Sequence, residues 1–179
     1  MSLDPALALT LALVLAAIFA TAAIAKLKAM SAFVGVVENY RLLPPPLVTP
    51  AAWALPPVEL LAALGLLFPP TRPFAALVVA ALLLLFALAI GINLARGRDR
   101  IDCGCFVGLL RQRLSWGLVG RNLVLALAGL VLTLDRGASR PLAVLDAVTV
   151  LAAVLCLLLL YAAVSRLFGV APTPLKQAS

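Results

Sequence analysis

Residues 6–25 read ALALTLALVLAAIFATAAIA, without a single charge, and the reading of this stretch decides what the rest of the chain is. As a helix rising about 1.5 Å per residue, it is long enough to cross a hydrocarbon core of about 30 Å. The competing reading is a cleaved secretory signal, which needs a basic segment ahead of the apolar one. Here Asp4 and Pro5 come first, and the positive charges, Lys26 and Lys28, follow the run. The stretch therefore reads as an uncleaved transmembrane helix with its N-terminus outside.

Four more apolar runs follow, at 51–68, 74–95, 117–134 and 142–164. The five together predict an all-α, polytopic membrane helix bundle of about five transmembrane helices, one integral membrane domain over residues 1–179. Composition agrees. The chain is 65% hydrophobic and 12% charged, with a mean hydropathy of +1.18, where soluble domains average about 45–50% apolar and about 25% charged. Too little charge is available to cover a water-facing surface, so the lipid bilayer is the first predicted partner. The 51–68 run carries Pro56, Pro57 and Glu59, which predicts a kink or a late helix start near Pro56. Ahead of it, Pro44, Pro45 and Pro46 forbid a continuous helix, and residues 31–43 have room for an amphipathic interfacial helix.

The net charge of +7 does not point to nucleic acid, because the fourteen basic residues, apart from Arg121 near the start of the 117–134 run, sit in the gaps between apolar runs with no aromatic-interleaved stripe. Five spans place the first loop, the third loop and the C-terminal tail on one side. That side holds Lys26, Lys28, Arg41, Arg96, Arg98, Arg100, Arg111, Arg113, Arg121, Arg166 and Lys176, while Arg72, Arg136 and Arg140 fall opposite. Eleven basic residues against three predict the C-terminus and the third loop inside and the N-terminus outside.

The third loop contains the sharpest chemical feature, Ile101-Asp102-Cys103-Gly104-Cys105-Phe106. A turn brings Cα atoms two residues apart to about 5.5 Å, inside the disulfide window, and the glycine permits the dihedrals of so small a ring. A strained, exposed disulfide is easily reduced and active in exchange. Arg100, Arg111 and Arg113 would favour the thiolate and Asp102 would oppose it. Cys103 and Cys105 thus read as a redox pair, with two other readings open: a soft-metal site and no role. No histidine is present, and two thiolates are too few for a closed zinc site, so no metal site is predicted, although Cu(I) fits thiolates alone. No Cys-x-x-Cys, phosphate loop or dinucleotide fingerprint occurs, and no cofactor is predicted.

Glu59 is the carboxylate well inside an apolar run, where an unpaired charge costs on the order of 3 kcal/mol. It should face the bundle interior, with Lys26 or Arg121 as its partner. Cys156, deep in the last run, reads as a small hydrophobe. Asp146 reads as wetted, near the outer end of the same run.

In order along the chain stand Ala23-Ile24-Ala25-Lys26-Leu27, Phe33, Tyr40-Arg41-Leu42-Leu43-Pro44, Leu55-Pro56-Pro57-Val58-Glu59-Leu60-Leu61, Cys103-Gly104-Cys105-Phe106, Ser115 and Arg121-Asn122. This ordered set resembles the MauE family of methylamine utilisation membrane proteins, within the wider DoxX-like group. The resemblance implies a multi-pass protein of the bacterial inner membrane that supports maturation of methylamine dehydrogenase, whose light subunit is a periplasmic, disulfide-rich client. It also implies a thioredoxin-like, MauD-like partner. In that setting Cys103 and Cys105 form the redox pair, and Lys26, Glu59, Arg121 and Asn122 support it. A non-catalytic assembly factor or transporter and a soft-metal carrier are the alternatives. One tension stands: the client is periplasmic, whereas the charge pattern assigns the cysteines to the cytoplasmic side. Either thiol equivalents cross the bundle, or the loop dips inward, or the charge rule fails.

Overall fold

The computed structural model describes residues 3–99, 101–104, 113–135 and 143–169. Six helices account for most of them: α1 (Pro5–Lys28), α2 (Met30–Tyr40), α3 (Pro45–Leu67), α4 (Arg72–Ala95), α5 (Trp116–Thr133) and α6 (Val144–Gly169). All but α2 are long and apolar enough to cross a membrane. The fold is the expected all-α membrane bundle.

α1 starts where its chemistry allows. Asp4 accepts a hydrogen bond from the Ala6 amide at 2.9 Å, and Pro5 occupies a first-turn position whose N–H has no helical use. Lys26 and Lys28 fall in the last turn, where positive charge complements the exposed carbonyls. This helix is the centre of the bundle. It packs on α3 along much of its length and also touches α2, α4, α5 and α6.

α3 departs from expectation. Its helix begins at Pro45, not at 51 or Pro56, and runs through Pro50, Pro56 and Pro57. Pro44 is extended (φ −59°, ψ 146°) and serves as the cap, so the next two prolines fall in the first turn, where a missing N–H is harmless. The interior prolines deprive the carbonyls of Pro46, Ala52 and Trp53 of helical donors, a loss that membrane helices accommodate where neighbours are packed against them. Pro56 and Ala52 are buried in this way.

Small residues set the helix spacing. On α5, a Cβ added to Gly129 would lie 3.3 Å from the Ala76 carbonyl and from Ala80 Cβ, so α4 and α5 meet almost backbone to backbone. The core joins Ala8, Ala12, Leu15 and Phe19 of α1 to Ala62 and Leu66 of α3, Val79 and Leu83 of α4, and Ala126 of α5. Outward faces carry Leu61, Leu77, Leu88, Leu127, Leu151 and Leu155, all exposed, as helices solvated by lipid require. α6 is the peripheral helix: 6% of its apolar window is buried, against 56% for α1.

Candidate functional site

Two polar regions interrupt the apolar bundle. The first is enclosed among the helices, toward the ends of α1 and α6 and the start of α5. Lys26, in the last turn of α1, forms an ion pair with Glu59 of α3, and both side chains are almost wholly buried. A charge pair taken out of water needs such close geometry to be tolerated, and further contacts help. The Lys26 ammonium also lies 5.4 Å from the ring centroid of Phe33 and 5.1 Å from that of Phe86, within cation–π range.

Beside the pair, Arg121 of α5 donates through Nη1 to Ser165 Oγ of α6 at 3.0 Å and through Nη2 to Asn122 Oδ1 at 3.4 Å. Its guanidinium sits 5.1 Å from the Tyr161 ring centroid. Asn122 is buried, and its Nδ2 has no hydrogen-bond partner among the described residues. Lys26, Glu59, Phe86, Arg121, Asn122 and Tyr161 surround a cavity of about 30 Å³, enough for about two waters. Five helices therefore converge on one buried polar cluster. Sequence reading paired Glu59 with Lys26 or Arg121; the structure pairs it with Lys26 and sets Arg121 in the wall of the same cavity. Ser165 and Tyr161 escaped that reading, because a serine and a tyrosine in a last span carry no cost that demands a partner.

The second region closes the end of the bundle where α2 lies. The chain after α4 turns back, so that the Leu114 amide donates to the Ile101 carbonyl at 3.2 Å and Asp102 faces Arg113 in an antiparallel bridge. Tyr40 Oη donates to the Cys103 carbonyl at 3.0 Å. Cys103 is 7% exposed and packs with Ile90, Leu114 and Leu118. Of the alternatives left open for the depth of the loop, the inward one fits this residue: the backbone folds inward, and Cys103 enters the apolar end of α4 and α5.

Gly104 makes the inward turn possible. Its φ is +74°, and a Cβ there would come within 2.7 Å of Val36 Cγ1 on α2, so both conformation and space require glycine. Arg98 straps the same corner. Its Nη2 donates to the Asn39 carbonyl at 2.8 Å and its Nη1 to Asn93 Oδ1 at 3.1 Å. Read from sequence as one of many orienting charges, Arg98 is a tie between α2 and α4. The prediction for Cys105, together with Phe106, Arg100 and Arg111, lies outside the described residues, as do Arg136, Arg140 and Lys176.

Between the two regions lies a cavity of about 460 Å³ bounded by α2, α3 and α4. Phe33, Tyr40, Val58, Leu85, Phe86 and Cys103 are among its lining residues. Phe86 belongs to the walls of both cavities and separates the ammonium of Lys26 from the apolar chamber. Among the described residues no cluster of three or more His, Cys, Asp or Glu side chains could hold a metal ion. Cys156 is exposed on the outer face of α6. Asp146 stands in the first turn of α6 and accepts from the Ala143 amide at 2.8 Å.

The family described as methylamine utilisation protein MauE matches residues 4–134, which hold α1 to α5 and the cysteine loop. A methylamine utilization protein MauE of Paracoccus denitrificans is 41% identical over 93% of this chain and 90% of its own length. That of Paracoccus versutus is 45% identical over 87% and 83%, and that of Methylophilus methylotrophus 42% identical over 97% and 92%. No solved structure matches significantly.

Proposed function

The chain belongs to the MauE family of methylamine utilisation proteins, and from that premise we propose that it is a bacterial inner-membrane thiol-exchange protein. In this reading Cys103 and Cys105 exchange a disulfide with a thioredoxin-like, MauD-like partner during maturation of the methylamine dehydrogenase light subunit. The observation that carries it is the mounting of Cys103: its carbonyl is held by Tyr40, and the glycine beside it is fitted against Val36.

The step is an exchange between two sulfur pairs. A partner thiolate attacks one sulfur of the Cys103–Cys105 disulfide, that S–S bond breaks, and a mixed disulfide forms. The second partner thiol then displaces the first, leaving a disulfide in the partner and two thiols in this chain. Burial of Cys103 makes the loop's release from the bundle end part of the cycle, because the attacking thiolate needs access. The buried cluster of Lys26, Glu59, Arg121 and Asn122 acts as the frame that holds α1, α3, α5 and α6 while the loop moves.

The same burial favours a second reading, a non-catalytic assembly factor, since apolar surroundings leave a thiol inert. One experiment separates the two. Acid-quenched membranes from a Cys105→Ser strain, run without reductant, should contain a new adduct of a thioredoxin-like protein on Cys103. Absence of any adduct from either single mutant, with client maturation intact in the double mutant, leaves the assembly factor standing. The N-terminus is assigned to the periplasm and the C-terminus to the cytoplasm on the charge asymmetry. Activity of a periplasm-only reporter fused at Ser179 would reverse that assignment.

A further inference from the structure

We propose that the 460 Å³ cavity between α2, α3 and α4 receives a lipid-soluble quinone, which takes the electrons of the Cys103–Cys105 dithiol and so renews its disulfide. The proposal rests on the thiol-exchange reading, because each disulfide passed to a partner leaves two thiols that an oxidant must discharge. Which oxidant can reach Cys103 is then a question of access and polarity.

Three features of the cavity answer it. Its lining is hydrocarbon and aromatic apart from Tyr40 and Cys103, so a charged, water-soluble acceptor would lose its hydration without replacement. Val58 of α3 and Leu85 of α4 line it and are 40% and 53% exposed. They lie midway along two spanning helices, so the cavity opens toward acyl chains, and its ligand arrives from the bilayer. The volume falls within the range of about 300–1,000 Å³ usual for small-molecule sites. Dioxygen is apolar too, but it needs no chamber of that size. Phe33 and Phe86, which line the cavity and lie within cation–π range of the Lys26 ammonium, offer rings on which a planar conjugated head can pack. A phospholipid tail would gain from the hydrocarbon walls but has no use for a sulfur at the end of them. Quinones are the two-electron acceptors that dissolve in that phase.

The chemistry closes without a further reactant. Two S–H bonds break and one S–S bond forms. Two electrons and two protons pass to the carbonyl oxygens, and the quinone leaves as the hydroquinone, back into the bilayer.

The test uses the full chain in phosphatidylcholine nanodiscs, its thiols reduced and the reductant removed under anaerobic conditions. Added decylubiquinone should be reduced at one equivalent per chain. Ala54→Trp and Ala89→Phe, which fill the cavity and leave both cysteines in the chain, should slow that reduction at least tenfold, while adding Cys105→Ser to either variant traps the partner as Cys105→Ser alone does. Wild-type rates in both filled variants would overturn the site. So would a wild-type protein that leaves the quinone unreduced although its Cys105→Ser form traps the partner, a result under which the thiol-exchange reading survives. Failure of both trapping and quinone reduction would sink both readings together. Photolabelling of the wild-type chain by an azidoquinone tests occupancy apart from any thiol. Competition by decylubiquinone but not by oleate supports the proposal, and equal competition by oleate marks an acyl-chain groove and overturns it.

Discussion

The buried cluster and the cysteine corner are both polar interruptions of an apolar bundle, yet they are built on opposite terms. In the cluster, charged groups from separate helices meet side chain to side chain: Lys26 with Glu59, and Arg121 with Ser165 and Tyr161. Any relative shift of α1, α3, α5 or α6 would break a charged contact among buried side chains, where little room is left for water to compensate. At the corner, the ties run mostly to backbone carbonyls at an end of the bundle, from Tyr40 to Cys103 and from Arg98 to Asn39. Each is a single hydrogen bond of about 0.5–3 kcal/mol, the charged one at the upper end. The difference teaches where motion is affordable: the frame is dear to disturb, and the loop is cheap to release.

The largest effect expected from breaking this contrast is at the frame. Lys26→Met leaves the Glu59 carboxylate buried without its ammonium and should cost about 3–5 kcal/mol, read as loss of the folded protein on thermal denaturation in detergent. Adding Glu59→Leu should recover most of that loss, because the pair as a whole contributes little beyond an apolar replacement. If Lys26→Met alone melts like the wild type, the cluster is no frame.

At the corner, Gly104→Ala meets both the left-handed φ and Val36, and should cost about 1–2 kcal/mol in docking of the loop. The expected reading is a faster alkylation of Cys103 by maleimide at an unchanged melting temperature. Val36→Ala should restore part of the protection by clearing the Cγ1 position. Tyr40→Phe removes one hydrogen bond of about 0.5–1.5 kcal/mol, so Cys103 alkylation should rise by about two- to tenfold. Equal melting losses in Tyr40→Phe and Lys26→Met would erase the distinction between frame and loop. Smallest of all, Cys156→Ser on the outer face of α6 should leave stability within about 0.5 kcal/mol and partner trapping unchanged.

What the chain alone made legible follows the same division. The spans at 6–25 and 74–95 lie inside α1 and α4 because unbroken apolar runs have one structural outcome in lipid. Glu59 announced a partner through the cost of its own burial, and Lys26 supplied it. α3 began six residues before the sequence reading of 51, since proline was weighed as a breaker where the first turn accepts it. The inward fold of Cys103 stood only as one of three alternatives, and the tie made by Arg98 was not legible. They depend on the meeting of α2, the end of α4 and the chain returning at Leu114, contacts that no local pattern encodes.

The contact between Arg121 and Ser165 spans 44 residues and reaches the last helix described. During synthesis α5 is therefore complete before its acceptor on α6 has been added. The guanidinium has to wait, near Asn122 on its own helix, until the final span arrives. α6 is then less a wall of the bundle than its closing piece: a chain that ended before Tyr161 would keep the four earlier spans and lack both the ring and the hydroxyl that receive the Arg121 guanidinium.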